Sequence, residues 1–450
     1  MLVNVLTGFL SNHLDWAGIG LFLAVACLGV RGRKKHHKTA EKLLKKSIDT
    51  QMNEPLTLHP EVNPALCAGC GACTKVCPEG DILKLIGHQA VLVSPSKCVG
   101  HGECELACPT HAITLVFGTK TRGMDIPRIN TNYETNVPGL YIAGELGGMG
   151  LIRNAVKQGA LAANHAVKNL TNVKAEYDLV IIGGGPAGLS ASLEAISQRK
   201  NYLCLEQNSL GGTVYNFPRQ KIVMTAPTIL PIVGQMKFKD NKVSKEELLD
   251  AWDNVRRKTG LRVEEKVRFD NLEQVGNLFK IKTSRGEVTA RKVILALGVR
   301  GSPRKLGLPN EDLPKVTYNL IDPEQYQQRN IVVVGGGNAG VEAAQMLGDS
   351  KWRNQVTLLV RGPQFDRCND ENKKIITEMA TRRQVQIWFN SNVQEIHPDR
   401  LLIRNEGQDK TLDNDFLFIF AGAELPSKML MSLGIQIDKK FGEALKSKTG

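Results

Sequence analysis

Seven of the ten cysteines fall between Cys67 and Cys108, and their spacing constrains this stretch more tightly than any other feature of the chain. CAGCGACTKVCP sets Cys67, Cys70, Cys73 and Cys77 in a C-x2-C-x2-C-x3-C-Pro run. About 30 residues on, CVGHGECELACP repeats it with Cys98, Cys104, Cys108 and Pro109, and His101 stands where the second cysteine belongs. Four thiolates this close can wrap a cubane iron-sulfur cluster, the first three from a tight loop that Gly69 and Gly71 permit. A tetrahedral zinc site is disfavoured, because two such runs supply more closely spaced ligands than it can use. Disulfides are not expected, because the cysteines lie at metal-ligand spacings.

The duplicated run resembles the two-cluster bacterial ferredoxins. That resemblance implies crossed ligation, with cluster one on Cys67, Cys70, Cys73 and Cys108 and cluster two on Cys98, Cys104 and Cys77. His101 leaves the second cluster open. Its imidazole completes a 4Fe-4S cluster and raises its potential, or the site holds a 3Fe-4S cluster, or His101 only packs between glycines while water takes the open iron.

Downstream, YDLVIIGGGPAGLSASLEAISQ reads as a β-branched strand, a glycine turn and a helix, with Gly183, Gly185 and Gly188 at G-x-G-x-x-G spacing. Glu206 ends the next strand, where an acid accepts hydrogen bonds from an adenosine ribose. A second copy, NIVVVGGGNAGVEAAQMLG, carries Gly335, Gly337 and Gly340. After its next strand comes Arg361 rather than an acid, with Arg367 close behind. A cation there suits the 2'-phosphate of NADP; NAD is the alternative, with Arg361 then a solvated strand-end residue.

Two such units, with LEQNSLGGTVYNFPRQK after the first and VILALGVRGSPRKLGLPNED before the second, resemble the thioredoxin reductase-like flavoproteins. Within them the chain is similar to the bacillithiol disulfide reductase-like and ferredoxin-NADP reductase-like branch. The resemblance implies FAD on the first unit, with Gly212 among its contacts, and a nicotinamide nucleotide on the second. It also implies a C-x2-C dithiol shortly before the second fingerprint, but KVTYNLIDPEQYQQRN holds no cysteine. Cys204 and Cys368 stand apart and read as structural thiols. The closing segment expected after the last domain is missing from the C-terminus. It stands upstream instead, as ETNVPGLYIAGELGGMGLIRNAVKQGALAANHAV, so the FAD domain reads as circularly permuted. By the same resemblance Gly144 and Glu145, the latter in place of an aspartate, meet FAD, and the backbone amides around Asn154 and Ala155 face the flavin.

The formal charge is +13, of which residues 31–46 carry +7 through eight Lys or Arg against Glu41. A nucleic-acid surface would spread its basic residues over a folded domain, so no nucleic-acid partner is expected. Leu14–Val30 is apolar except for Asp15, and basic residues follow it at once, which predicts a single-pass anchor in the cell membrane with a cytoplasmic body.

The expected fold is α/β: two Rossmann-like domains, the FAD one permuted, an α+β two-cluster ferredoxin domain and a transmembrane helix. In chain order this gives an anchor at 1–30, a basic linker at 31–59, the ferredoxin domain at 60–118 and the permuted closing segment at 119–170. The FAD domain at 171–302, the NAD(P) domain at 303–418 and a return to the FAD domain at 419–450 follow. The expected activity is a membrane-anchored oxidoreductase exchanging electrons between NAD(P)H and its clusters, then with a redox protein or quinone at the membrane, as a homodimer or complex subunit. The alternatives are a reductase of a low-molecular-weight disulfide or quinone, and an electron-transfer subunit without nicotinamide turnover. No protein acid or base is expected, because cofactors carry this chemistry.

Overall fold

The computed structural model describes residues 36–444, apart from 46, 50–54, 56–57, 96–97, 122, 149, 220, 225–227, 237, 239–242, 299–302, 366–367 and 423–425. The expected anchor at 1–30 and Arg367 lie outside the described residues. Among the described residues no helix is long and apolar enough to cross a membrane. The chain divides into two compact units between Val116 and Phe117.

In the first unit, residues 36–45 form helix α1, where the sequence reading expected a linker. Ala, Leu, Lys and Glu all favour helix, His37 pairs with Glu41 one turn on at 3.5 Å, and Ala40 is fully buried. β1 (His59–Val62) runs antiparallel to β4 (Ile113–Phe117), with Val62 opposite Ile113. β2 (Leu83–Ile86) and β3 (Gln89–Leu92) form a hairpin. Two short helices, α2 (Ala72–Val76) and α3 (Glu103–Leu106), each start after a left-handed glycine, Gly71 at φ 75° and Gly102 at φ 84°. Cys73, Leu83, Ala90 and Ile113 make the small core between them.

The second unit holds a seven-stranded mixed sheet, in which strands Phe269–Val275, Leu278–Thr283 and Gly286–Leu295 run antiparallel in turn, and a five-stranded parallel sheet. After β5 (Met124–Pro127) come β6 (Leu140–Ile142) and helix α4 (Ile152–Lys168). Then follow β7 (Tyr177–Ile182), helix α5 (Pro186–Ser197) and β8 (Tyr202–Glu206). β7 pairs with β8 on one side and with strand Gly286–Leu295 on the other. β6 lies parallel along the far side of that strand, Leu140 opposite Val293 and Ile142 opposite Leu295. A strand that precedes the first glycine turn in the chain therefore takes an outer place in its sheet. α4 packs on α5, and Ala155, Ala162, Ala163 and Ala166 are buried there with Ala187 and Ala191. Small residues let the two backbones approach closely.

The second sheet orders strands Val316–Thr317, Phe416–Ile419, Asn330–Val334, Gln355–Leu359 and Val385–Trp388, all parallel. It ends at Ile419, one residue past the expected boundary, because that residue still pairs with Val334. Beyond it, strand Ile437–Lys440 pairs with β5, and Leu430, Leu433 and Ile435 are buried with Leu140, Ile142 and Val180 of the first sheet.

Candidate functional site

The seven cysteines gather around two cavities in the first unit. One is lined by Cys67, Cys70, Cys73 and Cys108, with Leu85, Ala90 and Thr110. The other is lined by Cys77, Cys98 and Cys104 together with His101 and Glu79. The last cysteine of each run thus sits with the first three positions of the other run. Burial, and then Cys108, Cys67 and Cys70, push the Cys73 thiol up. Burial pushes Cys98 up to about 11, with Cys77 and Glu79 adding to it, and pushes Cys104 up to about 12, with Cys98 adding to it. Thiolates this crowded need a cation, and binding one would release their protons.

The donor set suits iron-sulfur clusters. Among the described residues no three His, Cys, Asp or Glu side chains converge on one point as a mononuclear site requires. The thiols line a cavity instead, and a cubane takes one thiolate at each of its irons. Backbone N–H groups already point at sulfur: Ala90 donates to Cys67 Sγ at 3.4 Å and Ala112 to Cys108 Sγ at 3.2 Å. At Cys108 the Thr110 hydroxyl and nearby N–H groups outweigh the cost of desolvation and hold its thiol below the usual range.

In the second unit the first glycine turn is a cradle with no spare room behind it. A Cβ at Gly188 would collide with the carbonyl of Gly183, and one at Gly183 with that of Ala296. A Cβ at Gly185 would meet only Gly211 O, at 3.9 Å, so this position faces open space in front of the α5 N-terminus, the place for a pyrophosphate. Glu206 is 5% exposed and closes the side of the cradle. Its Oε2 accepts from Gly184 N and its Oε1 from Asn208 N, both at 2.8 Å. Gly212 approaches Gly185, with its Cβ direction 3.2 Å from Gly185 Cα and 3.5 Å from Glu206 Oε2.

The segment before the first strand reaches the same cradle. A Cβ at Gly144 would stand 3.1 Å from Ala187 Cβ and 3.7 Å from Ala155 Cβ, and one at Gly298 would stand 4.0 Å from Glu145 Oε2. One expectation needs correction. Ala155 N donates to Leu151 O at 2.9 Å, so its amide is used inside the helix. Asn154 belongs to the first three residues of α4, whose amides have no intrahelical acceptor, and is the one of the two whose N–H suits an outside acceptor.

The second glycine turn repeats the first: a Cβ at Gly340 would collide with Gly335 O, and one at Gly335 with Phe420 O. Gly337 caps the helix Asn338–Leu347. Gly336 backs onto Val360, its Cβ direction 2.8 Å from Cγ1, so the turn lies beside the strand end that carries exposed Arg361. Cys204 is fully buried under the first turn, and burial pushes its thiol up to about 12. Cys368 is 5% exposed. Neither is placed for redox exchange.

Sequence reading missed Gln158, Glu79 and Glu342. Gln158 is 3% exposed and accepts from Gly144 N at 2.7 Å, fixing the turn before Glu145. Glu342 accepts from Lys221 Nζ at 2.5 Å and from Asn372 Nδ2 at 3.0 Å, tying the second fingerprint helix to the loop after the first Rossmann unit. No local motif marks these residues, because each acquires its partner only through packing.

Residues 180–449 match the pyridine nucleotide-disulphide oxidoreductase family. The chain belongs to that family. Residues 59–109 match a 4Fe-4S dicluster domain, which joins this oxidoreductase to the two thiol-lined cavities. Bacilliredoxin reductase Bdr of Bacillus subtilis is 30% identical over 270 residues, 58% of this chain and 82% of the relative. A ferredoxin–NADP reductase of Ignicoccus hospitalis is 29% identical over 271 residues, 58% of this chain and 83% of the relative. Among solved structures, the bacillithiol disulfide reductase of Staphylococcus aureus is similar at a TM-score of 0.54 and 26% identity, covering 58% of this chain and 81% of that one.

Proposed function

We propose that this chain exchanges electrons between a nicotinamide nucleotide and its own two iron-sulfur clusters, and through them with a redox protein or quinone at the cell membrane. One observation carries the reading. An oxidoreductase unit and two cysteine-ringed cavities share one chain, while residues 315–330 hold no dithiol to relay hydride to a disulfide. Bound FAD supplies the exchange between a two-electron hydride and single electrons. Gly183, Gly185 and Gly188 with the α5 N-terminus hold its pyrophosphate, Glu206 orients its ribose, and Glu145 with the Asn154 amide closes on it from the other side. Arg361 beside the second turn favours NADP over NAD by charge.

Two further parts belong to this reading. The FAD domain is circularly permuted, which is supported by the place of β6 and α4 upstream of residue 180, where the family match starts. A chain starting at residue 171 would then lose FAD; normal FAD content would overturn the permutation. The apolar stretch Leu14–Val30, with basic residues after it, anchors the chain as a homodimer or as a subunit of a larger complex.

The test is low-temperature EPR on anaerobically purified protein before and after NADPH. New reduced-cluster signals are expected. Flavin bleaching with oxidised clusters would refute reduction of the clusters by NADPH. The 30% identity to bacilliredoxin reductase favours a second reading, reduction of a low-molecular-weight disulfide. Disulfide turnover that survives Cys67→Ser and Cys98→Ser would favour it.

A further inference from the structure

The duplication in the first unit lets each half serve as a reference for the other. Positions related by 31 residues adopt the same backbone: Gly69 and Gly100 at φ 66° and 78°, Gly71 and Gly102 at φ 75° and 84°. Cys70 and His101 each lie between such a pair, so the loop presents both side chains alike. Crossed pairing then matches the cavities position by position. The first holds Cys70 and Thr110, the second His101 and Glu79. Thr110 follows Cys108-Pro109 as Glu79 follows Cys77-Pro78. Two departures from the repeat, Cys to His and Thr to Glu, therefore meet in one cavity.

They also face each other. His101 Nε2 lies 3.7 Å from Glu79 Oε1, longer than a hydrogen bond and within reach of one by side-chain rotation. The His101 side chain is 12% exposed and that of Glu79 is 42% exposed, so the imidazole is the inner group and the carboxylate the outer. A carboxylate beside three thiolates is electrostatically costly unless a donor faces it. At the equivalent place in the other cavity the neutral Thr110 hydroxyl lies 3.6 Å from Cys108 Sγ.

We propose that His101 coordinates the fourth iron of the second cluster through Nδ1, and that Glu79 is a positioning residue that accepts the Nε2–H and fixes the ring. The proposal rests on the iron-sulfur reading above. The neutral imidazole binds iron without losing its Nε2 proton, so coordination needs no further acid or base. A carboxylate on the distal nitrogen makes the imidazole a stronger donor, the arrangement that metal-bound histidines commonly use.

The test uses the full chain with its clusters assembled anaerobically. Nitrogen hyperfine coupling on the reduced second cluster is read by pulsed EPR, iron count by Mössbauer spectroscopy, and both cluster potentials by EPR-monitored titration. The first cluster is the internal reference. Wild type is expected to hold two four-iron clusters, one with nitrogen coupling. His101→Cys should keep four irons, lose the coupling and lower the potential of the second cluster. Glu79→Gln and Glu79→Thr should keep four irons, alter the coupling and raise that potential, with the first cluster unmoved. A wild-type second cluster with three irons, or with four and no nitrogen coupling, would overturn ligation by His101 while leaving the two-cluster reading intact. Coupling and potential unchanged in both Glu79 variants would overturn the positioning role alone. A wild type that assembles no clusters would overturn the proposed function itself.

Discussion

Gly159 lies in the middle of α4, where that helix crosses the start of α5. A Cβ added there would stand 2.8 Å from the carbonyl carbon of Ala187 and 3.0 Å from its Cα, and would collide with its oxygen. Ordinary carbon contacts lie at about 3.5 Å, so the carbonyl carbon alone would have to retreat by about 0.7 Å. Neither partner is a flexible side chain. Overpacking of this kind costs about 3 kcal/mol at the upper end of its usual range. Replacing a mid-helix glycine by alanine returns about 1 kcal/mol. Gly159→Ala should therefore destabilise the protein by about 2 kcal/mol, a fall in Tm of about 3 °C for a unit this large. Ala187 is the second residue of the helix proposed to hold the pyrophosphate, so FAD content per chain should fall as well. Thermal unfolding and flavin quantification after gel filtration read both effects. Lys157→Ala, on the exposed face of the same helix, is the control and should change stability by less than about 0.5 kcal/mol. A Gly159→Ala protein that melts at or above the wild-type temperature with full FAD would refute the close crossing of α4 and α5.

Three other outcomes are expected. Glu206→Ala leaves the N–H groups of Gly184 and Asn208 without their acceptor, at about 1–3 kcal/mol each, so FAD should bind at least tenfold more weakly; unchanged flavin retention would refute its place in the cradle. Arg361→Ala should raise KM for NADPH about tenfold and leave that for NADH unchanged, because one charge-assisted contact to the 2'-phosphate is lost; an unaltered NADPH-to-NADH ratio would refute selection by this residue. Cys108→Ser should remove the same EPR signal as Cys70→Ser, and Cys77→Ser the same signal as Cys98→Ser. Loss of signals grouped by sequence run instead would refute the crossed cavities.

The parts legible from sequence were those whose chemistry is set by near neighbours. Gly183, Gly185 and Gly188 act within one turn, where a Cβ at Gly188 would strike the Gly183 carbonyl five residues away, so their role is written in their spacing. The same holds for Cys67, Cys70 and Cys73, which reach one cavity from a single loop. Even so, local pattern misjudged two places. It expected a linker where residues 36–45 are helical, because charge density was read ahead of helix propensity. It also assigned the Ala155 amide to a ligand, because where the helix begins, and hence which amides it consumes, depends on Leu151 as its cap.

The sequence alone determined the kind of ligand, the two glycine turns, the acid after the first and the cation after the second. Tertiary structure decided which distant segments complete them. It put Glu79 beside His101, ran β6 along strand Gly286–Leu295 and laid Gln158 under Gly144. The physical reason is that a thiol or a turn is specified by covalent geometry over a few residues. A partner on another element is chosen by packing two surfaces together, and no spacing rule in the chain records that choice.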